Sequence, residues 1–283
     1  MRAPVRQSGF TLVEMIVVIV ITGIIGAIVA VFLRAPVQGY IDSARRAGLT
    51  DIADTAMRRM ARDVRTAVPN SVRTTACSPT CVEFLPTKDG GRYRADTPGN
   101  VLNFGVADGS FDIVGTAINF TAGATPDFIV IGSTQSDGNP PYNTTAAGVL
   151  RAYTGAAGAQ TTVSFTATAL PVWAELPSRR FDVVDGAQQA VTYACEGTLG
   201  VLDANNNGQA RLVRHWGYGY NAAQAAPGAL GGSSAILADR VSDCAIEYEL
   251  PNQRFGLLTV RLTLTSGNER VSLYNEIHVN NMP

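Results

Sequence analysis

Glu14 is the only charged residue in an otherwise apolar run from Phe10 to Leu33. A carboxylate inside a membrane span costs on the order of 3 kcal/mol, so it usually marks a function. The alternative is that Glu14 snorkels to the membrane interface without a partner. Gly9, which precedes the run, has no side chain to obstruct a close approach to the backbone.

The four cysteines are the next residues that could do chemistry. In an oxidising compartment an even count favours disulfides, with Cys77–Cys81 closing a small loop and Cys195–Cys244 joining distant segments. The second bridge could contribute roughly 4 kcal/mol in the chain-entropy model. The alternative is a zinc site, but Cys-x3-Cys with two remote cysteines and only two histidines fits no standard zinc spacing.

A third candidate is a calcium loop, because Asp203, Asn205 and Asn207 stand in the pattern D-x-N-x-N-G. Arg214 occupies the position where the closing bidentate Glu of an EF-hand would stand. Asn and Gly are also ordinary turn residues, so a simple turn is the favoured interpretation. We expect no cofactor, with calcium as the one open alternative.

The apolar run itself is long enough, at 1.5 Å per residue, to cross a hydrocarbon core of about 30 Å. A leader at residues 1–9 carries Arg2 and Arg6, which would keep it in the cytoplasm. An ordinary secretory signal has its small residues after the apolar region. Here Gly9 comes before it, so cleavage at Gly9 would leave the span, residues 10–33, in the mature chain.

Beyond the span, apolar residues recur at three- and four-residue steps while charged residues lie largely between them. We therefore predict one helix over roughly residues 10–66, whose second half (34–68) is amphipathic and which continues through a possible kink at Pro36. The alternative is a break at Pro36 and a separate second helix. The apolar positions are Leu49, Ile52, Ala53, Ala56, Met60, Val64 and Val68.

Residues 69–283 differ in kind and predict a β-rich head without a second domain. The clearest pair of strands alternates apolar and polar residues over 258–265 and 271–279, with turn residues at Ser266–Asn268 between them. The breaker-rich segments 132–148 and 221–234 predict surface loops. Further β-type runs are Val82–Leu85, Phe128–Ile131, Thr161–Phe165 and Phe181–Val184.

Composition excludes some classes of function. The chain is 46% hydrophobic and 16% charged, as expected for a folded protein, and its net charge is −1. It lacks the basic patch of a nucleic-acid binder. The common nucleotide-binding, hydrolase and metalloprotease motifs are absent, so we expect no enzymatic activity.

The segment Ser8–Glu14, SGFTLVE, resembles the class III signal of type IV prepilins and type II secretion pseudopilins. The resemblance implies that a prepilin peptidase cuts between Gly9 and Phe10 and that the new Phe10 amine is N-methylated. It also implies that Glu14 pairs with the Phe10 amine of a neighbouring subunit. The implied fold is α+β and type IV pilin-like, with a long N-terminal helix, transmembrane in its first half, packed on an antiparallel β-sheet head.

Shorter segments resemble the O-type biogenesis protein (MshO) family of the mannose-sensitive haemagglutinin (MSHA) pilus. They lie at residues 57–65, 68–73, 81–86 and 277–283. This resemblance implies a minor pilin that helps to initiate or cap a fibre, with an inner-membrane anchor and a periplasmic head. The implied partners are other pilins through the N-terminal helix, the prepilin peptidase/methyltransferase, the assembly platform and membrane lipid. The alternatives are a J-type pseudopilin of type II secretion and an adhesive pilin at the fibre tip.

Overall fold

The computed structural model describes residues 9–134, 141–252 and 254–282. It contains one α-helix, α1 (Leu12–Arg65), two short 3₁₀ helices, Val172–Ala174 and Pro227–Ala229, and fourteen strands in these described residues. The strands are β1 (Cys81–Phe84), β2 (Thr87–Tyr93), β3 (Ala107–Val114), β4 (Ile118–Phe120), β5 (Phe128–Ile131), β6 (Leu150–Ala152), β7 (Gly158–Gln160), β8 (Thr162–Ala169), β9 (Arg180–Val184), β10 (Val191–Glu196), β11 (Ala210–Trp216), β12 (Ser233–Asn252), β13 (Phe255–Ser266) and β14 (Glu269–Asn280).

The helix α1 is continuous for 54 residues, with Pro36 inside it. A proline removes only one helical hydrogen bond, and the alternative of two separate helices is therefore wrong. From Leu49 onward its buried residues recur at three- and four-residue steps, as expected for one face of an amphipathic helix. These are Leu49, Ala53, Ala56, Met57, Met60, Ala61 and Val64.

The part of α1 from Leu49 onward packs on a six-stranded antiparallel sheet in the order β1-β10-β11-β12-β13-β14. The C-terminal hairpin predicted from the alternating pattern is confirmed as β13 and β14. In its turn, Gly267 and Asn268 both have positive φ, at 56° and 74°, the backbone that a tight hairpin requires. Its inward residues meet the helix in one core cluster, and they include Leu258, Val260, Leu262, Leu264, Ile277 and Val279.

A second six-stranded sheet, in the order β6-β5-β9-β2-β3-β8, is formed by the chain between β1 and β10. Its edge strands approach each other at the bridge Tyr153–Phe165, where Thr154 N donates to Ser164 O at 2.9 Å. The sheet encloses its own apolar cluster, which is rich in aromatic residues. The predicted runs at 128–131, 161–165 and 181–184 supply three of its strands, β5, β8 and β9.

The two predicted loops lie outside the sheets, except that the second loop ends earlier than predicted. Residues 221–234 form a shorter loop than predicted, because β12 already begins at Ser233 and pairs there with Trp216. Of the segment 132–148, residues 135–140 lie outside the described residues. One long apolar N-terminal helix on antiparallel sheets is an α+β, type IV pilin-like architecture, as predicted.

The chain divides into two compact units, one ending at Gly48 and the other beginning at Leu49. The second unit contains the amphipathic end of α1 together with the two six-stranded sheets and the two-stranded sheet of β4 and β7.

Candidate functional site

The helix α1 begins with a capping box formed by Thr11 and Glu14. Thr11 N and Thr11 Oγ1 each donate to Glu14 Oε2 at 2.9 Å, and Glu14 N donates back to Thr11 Oγ1 at 3.2 Å. These bonds satisfy backbone donors that the first turn of a helix otherwise leaves without partners. The sequence interpretation missed this role of Glu14, although the pattern T-x-x-E before an apolar run is its known signal.

The proposed cleavage site lies just ahead of this cap, in residues without regular structure. Among the described residues, and leaving out the chain neighbours of Gly9, no atom lies within 4 Å of the position where a Cβ on Gly9 would stand; Phe10 is 85% exposed. A peptidase can therefore approach the Gly9–Phe10 bond without displacing other parts of the described chain. The remainder of the predicted leader, with Arg2, Arg6 and Ser8, lies outside the described residues.

The side chains of the apolar half of α1 are exposed. Residues 9–41 are exposed throughout, and α1 is the one helix of the described chain that is long and apolar enough to cross a membrane. Exposed aliphatic surface on this scale favours burial in lipid or against other apolar helices. The segment is consistent with anchoring in an inner membrane.

The cysteines form two bonded pairs, Cys77–Cys81 and Cys195–Cys244. Cys195 lies on β10 and Cys244 on β12, the two neighbours of β11, with their Cα atoms 6.5 Å apart. This bridge spans 49 residues and crosses the sheet on which the helix packs. Disulfides persist where the surroundings are oxidising.

The calcium candidate folds as a turn that uses its own polar groups. Asp203 Oδ1 accepts hydrogen bonds from Asn205 N and Asn207 N, both at 2.8 Å. Asn207 Oδ1 accepts from Ser266 Oγ at 3.0 Å, so it ties this turn to the β13–β14 hairpin. The donated hydrogen bonds, chiefly those from Asn207, lower the pKa of Asp203. They stabilise its charge without a metal ion.

Arg214 occupies the sequence position at which an EF-hand has its calcium-binding Glu. In the structure it links α1 to the sheet. Asp63 Oδ2 on α1 accepts from Arg214 Nε at 3.0 Å and from the Tyr193 hydroxyl at 2.7 Å. The Arg214 side chain is only 8% exposed. Burial, followed by the charge of Asp63, raises the pKa of Tyr193. Sequence reasoning missed this link, since no local pattern joins residues so far apart in the chain.

The two histidines lie apart. His215 on β11 is buried, with its Nε2 2.8 Å from Glu196 Oε1, whereas His278 on β14 is exposed. Among the residues that the structure describes, no group of three or more His, Cys, Asp or Glu side chains could hold a metal ion.

An exposed apolar helix with a capped N-terminus, ahead of a β-sheet head, is a type IV pilin-like architecture. Over residues 5–30 the chain matches the family model described as the prokaryotic N-terminal methylation motif. No curated protein and no solved structure matches the chain. The motif indicates a structural pilin-like subunit and implies processing by a prepilin peptidase and assembly with other pilins.

Proposed function

We propose that this chain is a minor pilin of an MSHA-like type IV pilus, a non-enzymatic subunit that helps to initiate or cap the fibre. The observation that carries the proposal is the methylation motif at residues 5–30, which continues without interruption into the exposed apolar helix α1. Such a helix has two natural environments, the membrane before assembly and a bundle of equivalent helices within a fibre.

Maturation begins at the Gly9–Phe10 bond. The peptidase removes the leader, residues 1–9, and the new Phe10 amine is then N-methylated. Residues 10–33 remain in the inner membrane, while the amphipathic half of the helix (34–68) and the head (69–283) lie in the periplasm. The open surroundings of Gly9 and the two disulfides support this topology, because disulfides are stable in that compartment.

Assembly depends on the carboxylate of Glu14, which pairs with the Phe10 amine of a neighbouring subunit. Within the described chain, both hydrogen bonds from Thr11 go to Oε2 of Glu14. Oε1 remains as an acceptor for a cation from another molecule. A charged hydrogen bond gains strength away from water, so the pair would be favoured inside the helix bundle of a fibre.

A deletion experiment in the native host tests the assignment to a pilus. Deleting the gene should abolish or sharply reduce surface fibres while secretion of exoproteins continues, and the wild-type gene on a plasmid should restore the fibres. Normal fibres together with lost secretion would assign the chain to a type II secretion pseudopilus instead. Normal fibres that fail to adhere would assign it to an adhesive tip.

A further inference from the structure

The amphipathic end of α1 carries a row of exposed arginines. Arg58, Arg62 and Arg65 follow one another at steps of four and three, so they lie on one side of the helix. Together with Thr55, Ala61 and Asn275 of β14 they line an open groove of about 490 Å³. Arg58 also pairs with Asp54 of its own helix at 2.8 Å. In the part of the chain that the structure describes, Arg62 and Arg65 make no ion pair.

The opposite face of the same sheet carries a row of glutamates. Glu247 on β12 stands opposite Thr259 on β13, which in turn stands opposite Glu276 on β14. Both carboxylates are exposed, because their neighbours Ile246 and Ile277 are the residues that face the helix. The two glutamates thus mark the ends of one line across three strands.

Tyr274 lies on the same exposed face, beside Glu276. Its hydroxyl donates to Glu276 Oε1 at 2.5 Å. That hydrogen bond raises the pKa of Tyr274, with smaller contributions from desolvation and then from the charges of Glu276 and Glu247. Arg261 of β13 is also on this face, and its Nη2 lies 3.4 Å from Asp243 Oδ2, so part of its charge is already compensated.

The two rows carry opposite charges and are also of similar length. Arg58 and Arg65 are seven residues apart on a helix, which corresponds to about 10 Å along its axis. Glu247 and Glu276 are two strand spacings apart, which also corresponds to about 10 Å. Since the rows lie on opposite faces of one layer, a single molecule cannot bring them together. A second molecule can bring its glutamate row against the arginine row of the first. In the resulting pair, the glutamate row of the first molecule and the arginine row of the second remain free.

We propose that the row Arg58–Arg62–Arg65 of one copy docks on the row Glu247–Thr259–Glu276 of a second copy of this chain. The contact is heterologous, so it adds copies head to tail and does not close into a symmetric dimer. The proposal rests on the proposed pilin function in one respect: a fibre or a membrane array holds neighbouring heads at high local concentration, which favours the contact. A subunit present in few copies needs it only where two copies adjoin.

The test uses the full-length chain in detergent and measures self-association by sedimentation at low and high salt. The wild type should associate, and salt should weaken the association. Arg62→Glu alone and Glu247→Arg alone should each weaken it by about threefold to tenfold, since a surface attraction becomes a repulsion. A mixture of the two variants should associate more strongly than either variant alone, because the unaltered arginine row of Glu247→Arg then meets the unaltered glutamate row of Arg62→Glu, and the two reversed charges also meet with opposite signs.

Arg92→Glu and Glu175→Arg are the matched controls, because both residues are exposed and lie outside the two rows. They change net charge by the same amount and should leave association within about twofold of the wild type. Thermal unfolding of every variant shows that its head is folded. Association that is indifferent to salt and to both reversals, or a mixture no stronger than either variant alone, would overturn the proposal. Neither result bears on cleavage at Gly9, so the proposed function would stand.

Discussion

One carboxylate oxygen of Glu14 accepts two hydrogen bonds from Thr11: the backbone N–H and the hydroxyl of Thr11 both donate to Glu14 Oε2 at 2.9 Å. Glu14 is therefore a helix cap within its own chain as well as the charge proposed to bind a neighbour. The two roles differ in what they need. A cap needs only an acceptor oxygen, whereas pairing with an amine needs the negative charge.

Glutamine at position 14 separates these roles. Glu14→Gln keeps an oxygen for Thr11 and loses the charge, while Glu14→Ala loses both. We expect normal cleavage in both variants, and incorporation into sheared fibres to fall by about tenfold or more in both, because a charged hydrogen bond contributes about 1.5–3 kcal/mol. Immunoblots comparing fibre and membrane fractions provide the measurement. Full incorporation of the glutamine variant would show that capping alone matters.

The two disulfides should differ in their contribution to stability. Cys195–Cys244 closes a loop over 49 residues and Cys77–Cys81 a loop over 4. In the chain-entropy model, replacing the first pair by alanines lowers the free energy of unfolding by about 4 kcal/mol, against about 2 kcal/mol for the second pair. Denaturant unfolding of the full chain measures both values. Equal losses would contradict the expected order, and mass spectrometry showing four free thiols in periplasmic protein would contradict both bridges.

The link between helix and sheet at Asp63 should be costly to break. Asp63→Ala leaves Arg214 buried without its carboxylate, and we expect a loss of about 3 kcal/mol in the free energy of unfolding. Asp54→Ala on the same helix is the matched control, because its partner Arg58 is 76% exposed. That variant should lose less than about 0.5 kcal/mol. Similar losses in the two variants would show that the Asp63 contacts are not important for the packing of α1.

Asp182 on β9 should make the stability of the second sheet depend on pH. Burial raises the pKa of Asp182 to about 6, an effect that the charge of Arg180 partly offsets. Because this pKa is higher in the folded chain than in the unfolded chain, the free energy of unfolding is unaffected below about pH 4. It falls as the pH rises through about 6, since the folded state must then bury a charge. Asp182→Asn should therefore stabilise the chain by about 3 kcal/mol near pH 8 and have little effect near pH 4.

Thermal unfolding at both pH values measures this difference. Asp89→Asn, on the neighbouring strand β2, is the control, because Asp89 is exposed. A stabilisation by Asp182→Asn that is the same at both pH values would show that charge burial is not its cause.

The sequence predicted those elements whose signals are local. The apolar run of α1 is continuous over residues 10–33 apart from Glu14, and the residues of β13 and β14 alternate over 258–265 and 271–279; the helix and the hairpin were both predicted correctly. The second sheet was missed as a separate layer. Its strands are as short as three residues, and its order, β6-β5-β9-β2-β3-β8, joins segments far apart in the chain. Short strands carry little periodicity, and pairing between distant segments leaves no local pattern.

The functional residues divide in the same way. Gly9, Phe10 and Glu14 lie within six consecutive positions, so their meaning can be interpreted from a short motif. The arginine and glutamate rows join residues 58–65 with residues 247 and 276, and only the packing of α1 on the sheet places them on opposite faces of one layer. Sequence alone gave Arg58 and Arg62 no role beyond a solvated helix face.

Intact mass and N-terminal analysis of the membrane-extracted protein from its native host test the central claim most directly. The proposed function predicts a mature chain that begins with N-methyl-Phe10. Gly9→Val should leave the chain at precursor length, while Gly23→Val, farther along the span, should be cleaved as the wild type is. A wild-type chain that still begins at Met1, or a Gly9→Val chain of mature size, would contradict the account.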